Sequence, residues 1–227
     1  MLDSLDALAL EVRRLDRAQS FYETHLSLDA ARRDHEAVFE VGDTALVLRE
    51  PAGVPRGGLH VHYAFSTTPG EYGAWRDRLG EDFDLTEFDF GGARSLYFDD
   101  PDGHCVEIGT GGPDGCGALT GVFEVVLEVE SLACAESFYR DLGFEVSDRG
   151  DDRQRVRLTG PVDLELWEPH LGIADARGAV HADLKFTASD PAAAANEIAD
   201  RACSVTDVDG GVRVRDPDGH YLKFTDG

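Results

Sequence analysis

Few residues in this chain could carry chemistry through their spacing alone. The four cysteines form no Cys-x-x-Cys pair, so the sequence predicts neither a thiolate zinc site nor a dithiol redox motif. The glycine-rich stretch 109–117 has no lysine and is not followed by the strand and helix of a phosphate-binding loop. No pattern of a nucleophilic triad is found either. Histidines and carboxylates are the groups whose positions have to be explained.

A histidine follows the turn Asp-Pro-Asp-Gly at two places, His104 after 100–103 and His220 after 216–219. In this turn the proline presets the first φ angle, the aspartate bonds back to the backbone, and the glycine adopts a positive φ. The motif therefore predicts a hairpin between two antiparallel strands. The two histidines are expected to serve the turn.

The chain is an internal duplication. Three motifs recur in the same order and at nearly equal spacing: Ser20-Phe21-Tyr22 at 137–139, the turn 100–104 at 216–220, and Glu50-Pro51 at 168–169. Such self-similarity predicts two copies of one structural unit. Glycines, a proline and an aspartate between the copies mark a linker. We therefore predict domains 1–110 and 119–227, joined by residues 111–118.

Each copy shows the same order of elements. Hydrophobic periodicity, turn residues and a predicted helix cap at Asp16 define strands and helices. In copy one these are strand 5–13, helix 16–26, strands 29–35, 37–42 and 44–50, strand 58–66, helix 69–79, and strands 83–90, 93–99 and 104–109. In copy two they are strand 121–129, helix 132–142, three strands to 168, strand 179–187, helix 190–202 and three strands to 225. The predicted fold class is α+β, with four βαβββ modules.

These elements carry a family resemblance. The Leu-Asp-Arg-Ala-x-x-Phe-Tyr helix at 15–22, His62 three residues before Phe65, and Asp-Pro-Asp-Gly-His-x-x-Glu at 100–107 resemble the vicinal oxygen chelate superfamily. That group includes glyoxalase I, extradiol dioxygenases and bleomycin-resistance proteins, and the resemblance covers almost the whole chain. It implies two half-open mixed β-barrels flanked by helices, each built from two modules around one metal. It says little about the reaction.

The resemblance also implies where metal ligands would lie. The first-strand positions of the four modules are Ala7, His62, Glu124 and Asp183. The closing-strand positions are Glu107 and Lys223, with Leu48 and Leu166 as the nearest matches in the other two modules and Glu165 and Glu168 close by. Alanine cannot bind a metal, and an ammonium repels one. Asp183 is expected to pair with Lys223 instead.

How the modules pair decides whether a site survives. If modules one and two share a barrel, neither barrel has a complete ligand set. If modules two and three share one, then His62, Glu107 and Glu124 converge, and the defects Ala7 and Lys223 fall together in the other barrel. We favour the second arrangement, with one live and one degenerate site. Strand alternation supports a site there, because His60 and His62 lie opposite the apolar Val61 and Tyr63, which would pack under the helices and leave the proposed ligands on the concave face.

One imidazole and two carboxylates suit a divalent cation such as Mn, Fe, Ni, Co or Zn. The resemblance then implies a glyoxalase-like enzyme acting on a small substrate with two adjacent oxygens, with Glu124 as ligand or general base. An extradiol dioxygenase is an alternative, which needs His60 or His104 as a second nitrogen ligand. A non-catalytic binding or resistance protein is another. Its cleft would be lined by aromatic residues among Tyr63, Trp75, Phe88, Tyr97 and Trp167.

The charge limits the partners. With 45 acidic and 21 basic residues the net charge is −24, which disfavours nucleic acid and anionic membranes. The acidic excess and the scarcity of lysine resemble proteins of salt-loving, haloarchaeal organisms. The sequence has neither a signal-peptide pattern nor an apolar run of membrane-spanning length, so we expect a soluble cytoplasmic protein. Open sheet edges would allow a homodimer.

Overall fold

A computed structural model describes residues 1–51, 61–111, 119–150, 154–168 and 182–227. Four modules follow one another, each with one strand, one helix and three further strands. The first two hold β1 (Leu2–Glu11), α1 (Leu15–Leu26), β2 (Ala30–Arg33), β3 (Glu36–Val41), β4 (Thr44–Arg49), β5 (His62–Thr67), α2 (Tyr72–Leu79), β6 (Thr86–Asp89), β7 (Arg94–Asp99) and β8 (Cys105–Thr110). The last two hold β9 (Gly121–Glu128), α3 (Leu132–Asp141), β10 (Glu145–Arg149), β11 (Arg155–Thr159), β12 (Asp163–Trp167), β13 (Asp183–Ala188), α4 (Pro191–Ile198), β14 (Ser204–Val208), β15 (Gly211–Arg215) and β16 (Tyr221–Thr225).

The strands form two open, mixed sheets of eight strands each. The first sheet has the order β14-β15-β16-β13-β1-β4-β3-β2 and is built from modules one and four. The second has the order β10-β11-β12-β9-β5-β8-β7-β6 and is built from modules two and three. The predicted α+β fold class is confirmed, and so is the favoured exchanged pairing. The division into domains 1–110 and 119–227 stays a prediction.

Residue alternation gives each sheet one apolar and one polar face. In β13, for example, Leu184 and Phe186 are fully buried, while the intervening Lys185 is only partly buried. The apolar faces are covered by helices: α1 contacts β3 and β4, α2 contacts β8, α3 contacts β10 to β12, and α4 contacts β13, β15 and β16. The side chains that could carry chemistry are thus collected on the opposite, polar faces. No helix in the described ranges has the length and apolar character that a membrane span requires.

Several element boundaries differ from the prediction by a few residues, among them the start of α1 and the end of α4. Helix α1 begins at Leu15 with Arg14 at its N-cap, so Asp16 is not the cap but lies in the first turn. There its carboxylate contacts Arg32 Nη2 at 3.0 Å, and an acidic group in the first turn also complements the helix dipole. The helix predicted over 190–202 is capped by Asp190 and ends at Ile198, after which the chain continues in turns.

The two recurring motifs contact each other in the folded chain. The hydroxyl of Tyr22, from the Phe-Tyr helix, donates to Asp100 Oδ2 at 2.9 Å and also contacts the hydroxyl of Tyr63. Asp100 also accepts bonds from the backbone N–H of Asp102 and of His104, and its Oδ2 lies 2.8 Å from His104 Nδ1. Burial would raise the pKa of Asp100, but the bonds with His104 and Tyr22 hold it below its usual value.

The second copy repeats this contact. Tyr139 donates to Asp216 Oδ2 at 2.7 Å, and Asp216 accepts from the backbone N–H of His220. The ring of His220 lies 2.9 Å from the backbone oxygen of Glu128. Helices α1 and α3 are therefore each hydrogen-bonded to a turn of the following module, which belongs to the other sheet. The predicted turn role is confirmed for His104, whose ring bonds Asp100; the backbone N–H of His220 serves its turn in the same way, but its ring contacts β9 instead.

Asp100→Asn should destabilise the chain. Both carboxylate oxygens accept hydrogen bonds, one from the turn backbone and the other from Tyr22 and His104, whereas an amide has only one acceptor oxygen. Asp100 is 5% exposed, so the lost acceptor is not replaced by water. We expect the free energy of unfolding to fall by about 1–3 kcal/mol, measured by urea denaturation. The control is Asp99→Asn, which changes the same charge at an exposed neighbour. Equal losses in the two variants would contradict the role given to Asp100.

The net charge of −24 predicts a salt-dependent stability. The Debye length falls from about 30 Å at 0.01 M to about 3 Å at 1 M salt, so molar salt screens most of the repulsion between surface carboxylates. We expect the melting temperature in molar KCl to exceed that in dilute buffer by about 4–8 °C, equivalent to about 2 kcal/mol for a chain of this size. Calorimetry in the two buffers measures the difference, and equal melting temperatures would contradict the prediction.

Candidate metal centre

The centre of the second sheet brings His62, Glu107 and Glu124 together. They lie on the adjacent strands β5, β8 and β9, where Ala64 is paired with Glu107 on one side and with Glu124 on the other. All three side chains are buried, with 9%, 4% and 4% of their surface exposed. One ligand atom from each lies within 4.8 Å of the other two. This is the only such group of three or more potential ligands among the described residues.

On one side the group is closed by Tyr97, from β7. Nε2 of His62 lies 3.0 Å from Glu107 Oε2, and the ring of Tyr97 stands edge-on to the imidazole at a centroid distance of 5.7 Å. Tyr97 is paired with Glu107 in the strand register, so its hydroxyl lies on the same polar face as the Glu107 carboxylate. Burial, together with the charge of Glu107, raises the pKa of Tyr97 well above its usual value. Tyr97 is therefore a neutral hydrogen-bond donor at the edge of the group.

On the other side the group is closed by an arginine that the sequence analysis did not single out. Arg157 Nη2, from β11, lies 2.6 Å from Glu124 Oε2 and 2.9 Å from Asp163 Oδ2. Its Nη1 lies 3.5 Å from Glu165 Oε1. Burial lowers the pKa of Arg157, but Glu124 and the two other acids outweigh this and raise it overall. Arg157 is thus a permanent positive charge next to one of the candidate ligands.

Even with Arg157 beside it, Glu124 does not hold its charge easily. Burial, followed by the charges of Glu165 and Glu107, raises the pKa of Glu124 to about 8. Three buried carboxylates, Glu107, Glu124 and Glu165, face two guanidinium groups, which also serve exposed or half-buried acids, so the group is deficient in positive charge. A cation bound among these oxygens would favour the ionised form of Glu124 and lower its pKa again.

Several known proteins resemble this chain in sequence or in fold. No protein-family profile matches the chain. Metallothiol transferase FosB from Shouchella clausii is 30% identical over 122 residues, a match that spans 49% of this chain and 82% of the relative. The enzyme of the same name from Staphylococcus saprophyticus is 28% identical over 119 residues, spanning 49% of this chain and 79% of the relative. This chain belongs to the vicinal oxygen chelate superfamily.

Solved structures agree on the fold over nearly the whole chain. A protein from Bacillus subtilis with a provisional dioxygenase assignment superposes with a TM-score of 0.76 at 18% identity, covering 99% of this chain and 85% of that protein. A variant of glyoxalase I from Zea mays superposes with a TM-score of 0.72 at 18% identity, covering 98% of this chain and 92% of that one. At this identity the likeness shows the vicinal oxygen chelate fold and not the reaction.

The strand register of this vicinal oxygen chelate protein also identifies a fourth acidic position. In module two, Glu107 is paired with Ala64, which is two positions after His62. In module three, Glu165 is paired with Val126, which is two positions after Glu124. Glu165 is therefore the counterpart of Glu107, and the nearest match predicted there, Leu166, is wrong. Leu166 is fully buried under the helices, because neighbouring strand positions face opposite sides.

Glu165 is buried and already has several partners. Its Oε2 accepts from Trp167 Nε1 at 2.8 Å, and its Oε1 lies 3.2 Å from Arg155 Nη1. By the same register argument the counterpart in module one is Val47, paired with Ala9, and not Leu48. Glu168 is half-buried and lies beyond the end of β12, where its Oε1 accepts from the backbone N–H of Leu132.

The corresponding place in the first sheet has a different composition. Ala7 is paired with Lys185, which is paired with Lys223 in turn. The predicted pair of Asp183 with Lys223 is wrong: Asp183 Oδ2 accepts from Arg49 and Arg213 at 2.7 Å each, and Lys223 donates to the backbone oxygen of Asp209 at 3.0 Å. Two guanidinium groups reach further across a strand than one ammonium, and their fork geometry suits a carboxylate.

The remaining candidates of the sequence analysis are distributed as follows. His60 lies outside the described residues. His104 is held in its turn by Asp100, as described above. Among the aromatic side chains, Tyr63 and Trp75 are core residues. Tyr97, Trp167 and Phe88 lie on the polar face of the second sheet, Phe88 being 48% exposed with its ring 5.6 Å from that of Tyr97.

The donor set fits a divalent metal ion. An imidazole nitrogen and two carboxylates are buried together, with a third carboxylate at the symmetric position, and the raised pKa of Glu124 reflects a local need for positive charge. His62 with Glu107 and Glu124 would hold the ion. Tyr97 and Arg157 would orient this set from either side.

Proposed function

We propose that this chain is a metal-dependent vicinal oxygen chelate enzyme with one active centre, in the second sheet, which acts on a small substrate with two adjacent oxygen atoms. The proposal is carried by one observation: the convergence of His62, Glu107 and Glu124, all buried, within 4.8 Å. A bound divalent cation of the series Mn, Fe, Ni, Co or Zn would supply Lewis acidity to the substrate oxygens.

The side chains around this centre support proton transfer. Burial raises the pKa of Glu124 to about 8 in the metal-free chain, and a bound cation would lower it again, which leaves the carboxylate ionised and able to accept a proton. In a glyoxalase-like isomerisation it would take the proton from one carbon and return it to the neighbouring carbon. Arg157, 2.6 Å from its Oε2, would hold this carboxylate in position. Tyr97, paired with Glu107 on the neighbouring strand, would donate to a negatively charged oxygen and help to exclude water.

The first sheet would be the degenerate partner. The positions that correspond to His62, Glu107 and Glu124 hold Asp183, Lys223 and Ala7. A guanidinium pair already neutralises Asp183, and a lysine stands where a second carboxylate would be needed. A divalent cation would meet repulsion there.

The experiment is to reload chelated protein with each of the five metals and follow proton exchange in D2O by NMR. The probe is the adduct of a small 2-oxoaldehyde with a thiol, which carries adjacent oxygens. We expect deuterium incorporation next to the carbonyl carbon that depends on metal and is lost in Glu124→Gln. Exchange that is independent of metal and of Glu124 would overturn the proposal. Protein that binds no metal but retains an apolar ligand would point to a non-catalytic binding protein.

Thiol transfer is the second candidate, because the relatives of about 30% identity are named metallothiol transferases. The same centre would then direct a thiol to a carbon that carries a leaving oxygen: the C–S bond forms, the C–O bond breaks, and the oxygen takes up the thiol proton. Metal-dependent loss of free thiol with a small epoxide as the substrate, without proton exchange in the oxoaldehyde adduct, favours this candidate. Extradiol ring cleavage gains no support from the described residues, since His62 is the only histidine in the group of ligands.

A further inference from the structure

One part of the polar face of the first sheet carries a concentration of positive charge. Five cationic residues lie on β13, β15, β16 and the end of β4, and we call them the arginine–lysine cluster: Arg49, Lys185, Arg213, Arg215 and Lys223. The chain has only two lysines, and both belong to the cluster. On β13, β15 and β16 this face has four cations and one acid, Asp183, which is the reverse of a chain with 45 acidic and 21 basic residues; Glu11 and Glu36 are the strand neighbours of Arg49.

Strand register shows that the cluster is built into the sheet. Lys185 in β13 is paired with Lys223 in β16, and Lys223 is paired with Arg213 in β15. Three cations therefore stand side by side on three adjacent strands. Like charges at facing positions of neighbouring strands repel each other, so this row lowers stability unless negative charge lies between them.

The next row holds the arginines close together. Arg215 is paired with Tyr221, which is paired with Asp183. The guanidinium carbon of Arg213 lies 4.1 Å from the centre of the Tyr221 ring, and that of Arg215 lies 6.0 Å from it. Stacking on one tyrosine restricts both guanidinium groups before any ligand arrives, which reduces the entropy lost on binding.

The cluster has more donors than acceptors. Asp183 Oδ2 receives one N–H from Arg49 and one from Arg213, although each guanidinium has five. Within the described residues, the Nε atoms of Arg213 and Arg215 are buried and have no hydrogen-bond partner.

The charge balance points the same way. Lys185 Nζ forms an ion pair with Asp6 Oδ2 at 3.2 Å, whereas among the described residues Lys223 Nζ donates only to the backbone oxygen of Asp209. Across the described part of the chain, five cations thus have two carboxylates within ion-pair distance, Asp183 and Asp6.

We propose that this face of the first sheet is a binding site for a small oxyanion, the carboxylate or phosphate group of a low-molecular-weight ligand. The planar forks of Arg49 and Arg213 present paired N–H groups that match such an anion, and Lys223 adds a charge on the neighbouring strand. The site occupies the place that corresponds to the metal centre of the second sheet, with Lys223 at the position of Glu107. The second sheet thus has a glutamate at this position, which favours a bound cation, and the first sheet has a lysine, which favours a bound anion.

The test is calorimetric titration of the full-length, chelator-treated chain with inorganic phosphate and, separately, with malonate, at constant ionic strength. We expect at least one of them to bind with a dissociation constant below about 1 mM. The long-range repulsion of a chain of charge −24 works against adventitious anion binding. The stronger of the two probes distinguishes a phosphate from a carboxylate ligand.

Substitutions with opposite expected effects make the test specific. Arg213→Gln and Lys223→Gln should each weaken binding, the arginine change by about tenfold or more. Asp183→Asn should strengthen it, because it removes the carboxylate that competes for Arg49 and Arg213. Damage to the fold would not strengthen binding. The matched control is Arg76→Gln, which removes the same charge from an exposed arginine of α2 and should leave affinity unchanged.

Two results would overturn the proposal. One is no binding of either probe at 10-fold the concentration of about 1 mM given above. The other is binding that responds equally to Arg213→Gln and Arg76→Gln, which would indicate a general charge effect. Neither result depends on the metal centre, so this inference stands or falls separately from the proposed enzyme function.

Discussion

His62→Ala is expected to abolish stoichiometric metal binding. His62 supplies the only nitrogen in the group, and its Nε2 lies 3.0 Å from Glu107 Oε2, so its loss leaves two buried carboxylates and a cavity. Changes to groups that only support a ligand weaken metal affinity by about 10–100-fold, so removal of a direct ligand should weaken it by at least about 100-fold. The expected result is about one equivalent of divalent metal in the wild-type chain and a small fraction in the variant.

Elemental analysis after dialysis, with chelator competition for the affinity, measures this difference. The duplication provides a matched control, because Asp183 stands in the first sheet at the position of His62. Asp183→Asn should retain the full equivalent of metal. Metal lost equally from both variants, or a wild-type chain that takes up none of the five metals, would end the case for a centre at His62.

Glu124→Gln is expected to change the pH dependence of stability in the metal-free chain. The pKa of Glu124 is about 8 when folded and close to 4.5 when unfolded, so the folded state holds the proton more tightly. Its contribution to stability is complete below pH 4.5 and is lost as the pH rises through about 8. Relative to the glutamine variant, the wild-type chain should lose roughly 2–4 kcal/mol of unfolding free energy over this interval.

Urea denaturation of chelated protein across this pH range gives the comparison. Glu145→Gln removes an exposed glutamate at the start of β10 and is the control; its profile should run parallel to that of the wild type. Added metal should cancel the difference at high pH, because a bound cation favours the ionised carboxylate. Parallel profiles for the wild type and Glu124→Gln would show that Glu124 ionises normally in the folded chain.

The order of elements could be predicted from the sequence because the signals are local. Alternation in segments such as 121–129 and the turn chemistry of Asp-Pro-Asp-Gly need no knowledge of the rest of the chain. The placement of His62 with Glu107 also follows locally, since β5 and β8 belong to one module. The contact of Tyr22 with Asp100 could not be predicted from their two motifs, because it joins elements of two different sheets.

The rest of the site depended on non-local geometry. Whether Glu124 meets His62 depends on which modules pair, and both pairings bury similar strands. The choice of Leu166 over Glu165 was a shift by one residue, and such a shift moves a side chain to the opposite face of a sheet. Arg157 was missed because its role appears only when β11 is placed next to β12, where Arg157 is paired with Glu165.

The exchanged pairing of modules affects how the polar faces of the two sheets, here called grooves, could come to differ. Each sheet takes one module from either side of residues 112–118, so neither half of the gene encodes a groove by itself. A fragment ending near residue 111 would have to self-associate to rebuild its sheets. Each resulting groove would combine His62 and Glu107 with Ala7 and Val47, a set with two ligands missing. In a single polypeptide the two copies need not be identical, so one groove can lack the acids while the other has them.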